Sequence, residues 1–283
     1  MSRGASLFNR FLVHVGLVVA ALFALYPVLW VCATALSPSA QPTGSALPVP
    51  ASLSLEHFVT VVSTTTGDGR WLFGRQLLSS MLIALATAVV AVAIATPAAY
   101  AFARYRFVGK DASGRLLLAT QMVPGIVAAV PLFLLLDAVG LLDSGSGLVV
   151  VYATTAVPFA IFQLRAAFEA IPRELEEAAM VDGATRFEAF RRVALPAARP
   201  AIAVTALFAF MTAWNEFIMA ATLLSRQSAY TLPIVLQGYV TEHRTDWGPF
   251  AAGAILVSVP VMALFYVAQR QLVSGLTSGG VKG

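Results

Sequence analysis

Trp214, Asn215 and Glu216 stand in succession inside an apolar stretch at 200–224. A carboxylate in such a setting is costly unless it faces a bundle interior or a water-filled cavity. Glu216 therefore marks either a functional position or an interhelical hydrogen bond. Nothing nearby completes a catalytic constellation. The sequence has no H-E-x-x-H and no G-x-S-x-G, and His14, His57 and His243 are too scattered to share a metal. Gly109 and Lys110 do not finish a G-x-x-x-x-G-K-[ST] phosphate loop, because Arg104 stands where its first glycine is required. These residues predict a non-enzymatic chain with no metal and no cofactor.

The second chemically distinctive group is a polar island, EEAAMVDGATRFEAFRRVALP at 176–196, set between apolar segments. Pro172 suits the start of a helix, Glu174 and Glu176 complement its N-terminal dipole, and Leu175, Ala178 and Ala179 form a small apolar stripe. The pattern predicts a helix over 173–182, ended by Gly183, which is free to adopt positive φ. Thr185 and Glu188 have the spacing of a capping box and start a second helix. Along it Phe187, Phe190 and Ala194 recur at i, i+3 and i+7, Glu188 precedes Arg192 by four, and Leu195 and Pro196 close it. Two amphipathic helices joined at a glycine either lie on lipid headgroups or dock on a protein. The first is acidic with little apolar area, which disfavours anionic lipid.

Positioning these groups is the work of a bilayer fold. Residues are 59% hydrophobic and 11% charged, so a soluble chain would expose large apolar patches. About 20 apolar residues cross the hydrocarbon core. Six stretches qualify, roughly 11–36, 77–103, 116–136, 148–168, 200–224 and 250–273. The third and fourth contain Pro124, Pro131 and Pro158, which bundled membrane helices tolerate. The expected fold is all-α and polytopic: one transmembrane domain, 1–283, with six spans, the two-helix segment at 173–194 between spans four and five, and a tail at 274–283. Of 18 lysines and arginines, all but Arg70, Arg75, Arg226 and Arg244 fall on the side of the termini, which places both termini in the cytoplasm. The net charge of +4 thus reports topology, not nucleic-acid binding. Arg3, Arg10 and the Ala33-Thr34-Ala35 run imitate a signal peptide, yet the apolar run is longer than the roughly 7–15 residues of an h-region. Cys32 is alone, so no internal disulfide forms. Leu55, Phe58, Val59 and Val62 predict a short helix in the first outer loop, 63–70 reads as a flexible turn, and Gly275–Gly283 looks disordered by composition.

Glu177, Ala178, Ala179, Asp182, Gly183, Ala184, Phe190, Val193, Leu195, Pro196 and Pro200 match E-A-A-x-x-D-G-A-x(5)-F-x-x-I-x-L-P-x(3)-P, with valine for isoleucine at 193. The pattern resembles the signature of permease subunits of binding-protein-dependent ATP-binding cassette importers. WNEF at 214–217, YTLP at 230–233 and the tail QRQLVSGLTSGGVKG at 269–283 are similar to carbohydrate-type members, particularly the G-type permeases of maltose transporters. The resemblance covers most of the chain from about residue 75 onward. It implies a bacterial inner-membrane protein that works with a second permease subunit, two ATPase subunits and an extracytoplasmic sugar-binding protein. Glu177, Ala178, Ala179, Asp182, Gly183, Phe187, Phe190, Leu195 and Pro196 would couple to the ATPase. Gly279, Gly280 and Lys282 would insert between the ATPase subunits, and Tyr239, Glu242, Arg244 and Trp247 would meet the binding protein. Trp214 and Asn215 are candidates for stacking on and bonding a sugar, although in maltose transporters the other permease holds it. An ion-coupled secondary sugar transporter is the alternative; it needs several ionisable groups within the spans, and only Glu216 lies deep.

Overall fold

The computed structural model describes residues 3–39, 47–50, 52–241 and 245–280, with backbone alone at 3–8 and 270–280. Glu242, His243, Arg244 and Lys282 lie outside the described residues. Among the described residues all regular structure is helical, apart from two isolated antiparallel bridges, Thr65 with Trp71 and Val240 with Thr245. The chain forms two compact units, Met1–Gly74 with Val235–Val259, and Arg75–Ile234 with Pro260–Gly283.

The first unit carries α1 (Arg3–Leu36) and α2 (Glu56–Val62). Phe11, Leu17, Val19 and Phe23 all lie exposed along α1, as a lipid-facing helix requires. The short helix expected near Leu55–Val62 forms, but its buried face differs: His57 and Val61 are inside, while Leu55 and Val59 are exposed. The reason is Gly248, whose missing Cβ leaves room for the imidazole; a Cβ there would sit 2.2 Å from His57 Nε2. The turn at 63–70 is tied by the Thr65–Trp71 bridge and by Trp71 Nε1 donating to Val62 O at 2.6 Å.

In the second unit α3 (Leu72–Arg104) bears Ala84, Ala88, Ala91, Ala95, Ala99 and Ala103, all buried, spaced by four residues except for the three between Ala88 and Ala91. Such a stripe of small side chains lets helix backbones approach closely, which is how helices associate where lipid tails are as apolar as leucine. Its lower half packs into one core with Ala160, Ile161, Leu164 and Phe168 of α6 (Gly145–Ala170) and with Ala194 and Ala198. α6 is capped by Ser144, whose hydroxyl accepts from Gly147 N at 3.1 Å.

Two of the expected spans are broken into shorter helices. The third consists of α4 (Lys110–Thr120) and α5 (Gly125–Ala138), which meet at 99°. Pro124 sits at the break and disfavours helix for the residue before it. Where one span was expected at 200–224, the structure has α10 (Arg199–Trp214) and α11 (Ile218–Leu223). α7 (Arg173–Val181), α8 (Arg186–Ala189) and α9 (Leu195–Ala197) precede them, and the helical run Arg186–Ala197 bends by 72° into α10. α12 (Leu232–Gln237) and α13 (Trp247–Gly280) follow. Among the described residues four helices are long and apolar enough to cross a membrane, or up to six if each bent pair is one span. The glycine-rich tail continues as helix to Gly280, against the disorder its composition suggests.

Candidate functional site

The polar island folds as an elbow, built largely from local rules. α7 ends in a double hydrogen bond, Ala184 N to Ala179 O at 3.0 Å and Gly183 N to Met180 O at 3.1 Å, closed by Gly183 at φ +92°. This is the Schellman arrangement, and its left-handed residue is where glycine avoids steric strain. α8 opens with both halves of the capping box: Glu188 N donates to Thr185 Oγ1 at 3.3 Å, and Thr185 N to Glu188 Oε2 at 2.9 Å. The Thr185 N–H first, then the Thr185 hydroxyl, both donating to Glu188 Oε2, and the nearby Arg192 hold the Glu188 carboxyl below its ordinary range. The helix then continues past the expected stop at Leu195 through a widened turn, Phe190–Ala194, in which Leu195 N reaches Phe190 O. Pro196 explains that turn. It has no N–H to donate to Arg192, and its ring would clash with that carbonyl in a regular helix.

What fastens the elbow is a contact that sequence reasoning missed. Glu176, 6% exposed, accepts from Arg104 Nε at 2.7 Å and from the Tyr100 hydroxyl at 2.5 Å. Arg104 Nη2 also donates to Ile171 O at 2.9 Å, and Arg173 Nη2 to Ala103 O at 3.2 Å. The Tyr100 ring lies edge-on to Phe168 at 5.4 Å and tilted against Phe190 at 4.5 Å. The C-terminal end of α3 is thus bolted to both arms of the elbow by a buried ion pair and an aromatic cluster. Beside it is a cleft of about 230 Å³ lined in part by Arg173, Glu177 and Arg186.

The structure gathers Glu177, Ala178, Ala179, Asp182, Gly183, Phe187, Phe190, Leu195 and Pro196 on this elbow. Glu177, Ala178 and Asp182 are exposed, Phe190 belongs to the cluster, and Leu195 and Pro196 are half-buried. Val181 and Phe187, 87% and 69% exposed, flank Gly183 on the outside of the bend.

Trp214, Asn215 and Glu216 lie at the other end of α10, about 24 Å away for 16 residues at 1.5 Å each. They form a break rather than a continuous helix. Both carboxylate oxygens of Glu216 accept from the start of α11, from Met219 N at 2.9 Å and Ala220 N at 3.1 Å. A carboxylate among apolar neighbours is stabilised by the unsatisfied donors and dipole of that helix start. The buried Tyr152 hydroxyl lies near it without a hydrogen bond of ordinary geometry. Trp214 is 3% exposed and stacked on Phe210 at 5.4 Å, so its ring face is closed to a solute in this conformation; Asn215 is exposed. The far end of α11 is held by Asp143, which accepts from Ser225 N at 3.0 Å, Arg226 N at 3.2 Å and Arg226 Nε at 2.6 Å. These donors, Ser225 first, keep the Asp143 carboxyl below its usual range.

Tyr239 and Trp247 belong to the first unit, where the loop between them is pinched by the Val240–Thr245 bridge and by Asp246 N donating to Tyr239 O at 2.9 Å. Trp247 stands edge-on to Phe250 at 6.1 Å and is 37% exposed. Burial raises the Tyr239 phenol. No group of three or more His, Cys, Asp or Glu residues gathers for a metal among the described residues.

Residues 91–278, which span the elbow and both breaks, match the family described as binding-protein-dependent transport system inner membrane component. The chain belongs to that family. Among its relatives, the trehalose transport system permease protein of Mycobacterium tuberculosis is 37% identical over 263 residues, 92% of this chain and 93% of that one. The maltose/maltodextrin permease protein of Yersinia pestis is 38% identical, covering 92% and 89%, and the diacetylchitobiose uptake permease protein of Streptomyces coelicolor 36%, covering 98% and 99%. The fold is that of a solved bacterial ATP-binding cassette transporter involved in alginate import, with TM-score 0.77, 24% identity and coverage of 95% of this permease and 98% of that chain.

Proposed function

We propose that this permease is one of two membrane subunits of a binding-protein-dependent, ATP-driven importer of neutral sugars in a bacterial inner membrane. It supplies half of the translocation pathway and catalyses nothing itself; two ATPase subunits hydrolyse ATP, and an extracytoplasmic protein delivers the sugar. Family membership and the sugar-uptake names of several relatives support this reading. The observation that carries it is the elbow, an element capped from within that presents Val181 and Phe187 to the outside while Glu176 ties it to α3. Exposed apolar side chains on a rigid bend suit a groove in a protein partner. The elbow, from Glu177 to Pro196, is the coupling element to the ATPase, on the cytoplasmic side where the basic residues concentrate, together with both termini. The tail with Gly279, Gly280 and Lys282 meets the ATPase as well, and the loop with Tyr239, Glu242, Arg244 and Trp247 faces the binding protein. Reversing an inward/outward balance from 1:99 to 99:1 takes about 5.5 kcal/mol, which a bolted lever transmits to the spans.

The test is purification of the chain from its native membrane, identification of the proteins that come with it, and ATP hydrolysis with added binding protein and trehalose, maltose or diacetylchitobiose. An ATPase, a second permease and sugar-stimulated hydrolysis are expected. A chain that purifies alone and moves sugar down an ion gradient overturns the assignment.

A further inference from the structure

Between α6 and α10 runs a groove of about 450 Å³ lined by Gln121, Thr155, Phe159, Thr205, Phe208 and Thr212 among apolar neighbours, with no charged residue. Phe159 and Phe208, each about half exposed, set their rings 5.9 Å apart at 68° across it. The polar groups share one property. Each threonine spends its proton on its own helix, Thr155 on Tyr152 O, Thr205 on Ala201 O and Thr212 on Phe208 O. Gln121 spends a donor on Thr155 O at 3.1 Å. Thr205 is buried at the floor, so the hydroxyl lone pairs of the exposed Thr155 and Thr212 and the Gln121 carbonyl oxygen are left as acceptors. The exposed stretch of α1 from Val15 to Val28 carries aliphatic and aromatic side chains without a threonine or glutamine, whereas this wall is aromatic and acceptor-rich.

We propose that this groove is the surface which the chain itself offers to the passing solute, and that it takes an uncharged polyhydroxy compound and rejects anions. Hydroxyl groups donate to the free acceptors, the aliphatic faces of a sugar ring lie on Phe159 and Phe208, and no cation is present to compensate a carboxylate or phosphate. On α10, Thr205, Phe208, Thr212 and Asn215 recur at i, i+3, i+7 and i+10, so one helical face carries the track to the break at Glu216. This deepens the importer reading and rests on it.

The test uses the complete transporter in vesicles, with Cys32→Ser as background and single cysteines introduced as Thr212→Cys, Phe159→Cys and, on α5 outside the groove, Leu134→Cys. A cationic, water-soluble methanethiosulfonate reagent is expected to modify the first two and not the third, and transported sugar to slow the modification. Thr155→Val with Thr212→Val, near-isosteric and without acceptors, is expected to lower ATP-driven trehalose or maltose uptake on the order of tenfold while ATPase assembly persists. Groove cysteines that stay unreactive, or react no faster than Leu134→Cys, in vesicles that still take up sugar overturn this proposal alone. Absence of ATP-driven sugar uptake by the unaltered transporter overturns the importer reading and the proposal with it.

Discussion

Glu176 and Arg104 are the pair on which the elbow's attachment turns, and a double-mutant cycle measures it. Their side chains are 8% and 7% exposed. Removing one partner of a buried pair leaves the other uncompensated, at about 3–5 kcal/mol. Arg104 keeps the Ile171 carbonyl, so Glu176→Gln is placed at the low end, about 3 kcal/mol, with Arg104→Gln similar. Removing both leaves no orphan charge, so the double variant is expected to cost about 2 kcal/mol less than the sum. The control is Arg165 with Glu169, an i,i+4 pair 35% and 47% exposed, where the coupling is at most about 0.5 kcal/mol. Denaturant unfolding of the purified permease in detergent reads the stability, and uptake by reconstituted transporter reads the function. Strict additivity of the Glu176 and Arg104 effects, or single variants as mild as the control, would refute the view that this pair fastens the elbow.

Gly183→Pro is expected to leave the chain in the membrane and abolish uptake, because it forces φ +92° to about −65° and deletes the bond to Met180; normal uptake would sink the lever reading. Gly183→Ala meets no atom within 4 Å, so only backbone strain of roughly 1 kcal/mol is expected in unfolding. Glu216→Ala removes the acceptors of two amides at the start of α11 and should change uptake without loosening the ATPase; loss of assembly would favour a purely structural role. Asp143 has a depressed pKa, so its clamp contributes fully above the unfolded value of about 3.9 and weakens as pH falls through the folded one. Asp143→Asn should flatten that acid limb, measured by unfolding against pH.

The legible parts of this fold are those set by neighbours in the chain. Gly183, Thr185 and Glu188 settle their turn and cap within a few residues, and the structure forms both as the spacing predicts. Pro124 signalled an interruption, though not one of 99°. Glu176 was readable only as a dipole partner, because Tyr100 and Arg104 lie 76 and 72 residues before it and no local pattern joins them. The break after Trp214 escaped notice for another reason. No proline or glycine marks it, and Glu216 as the cap of a following helix is visible only once that helix is known to start anew. Likewise, the groove threonines look like ordinary helix residues until the packing of α6 on α10 puts them on one wall.

The elbow also bears on how tightly anything can hold it. Between Ala179 and Glu188 the paired bonds that end α7 and the capping box that starts α8 close inside the same ten-residue arc, and the one residue in a left-handed conformation is a glycine. A segment that reached this shape only on contact would surrender about 1–2 kcal/mol of chain entropy per ordered residue at the moment of docking. Here that entropy is already spent during folding, so a partner docking on Val181 and Phe187 would put its contact energy into affinity rather than into shaping the bend.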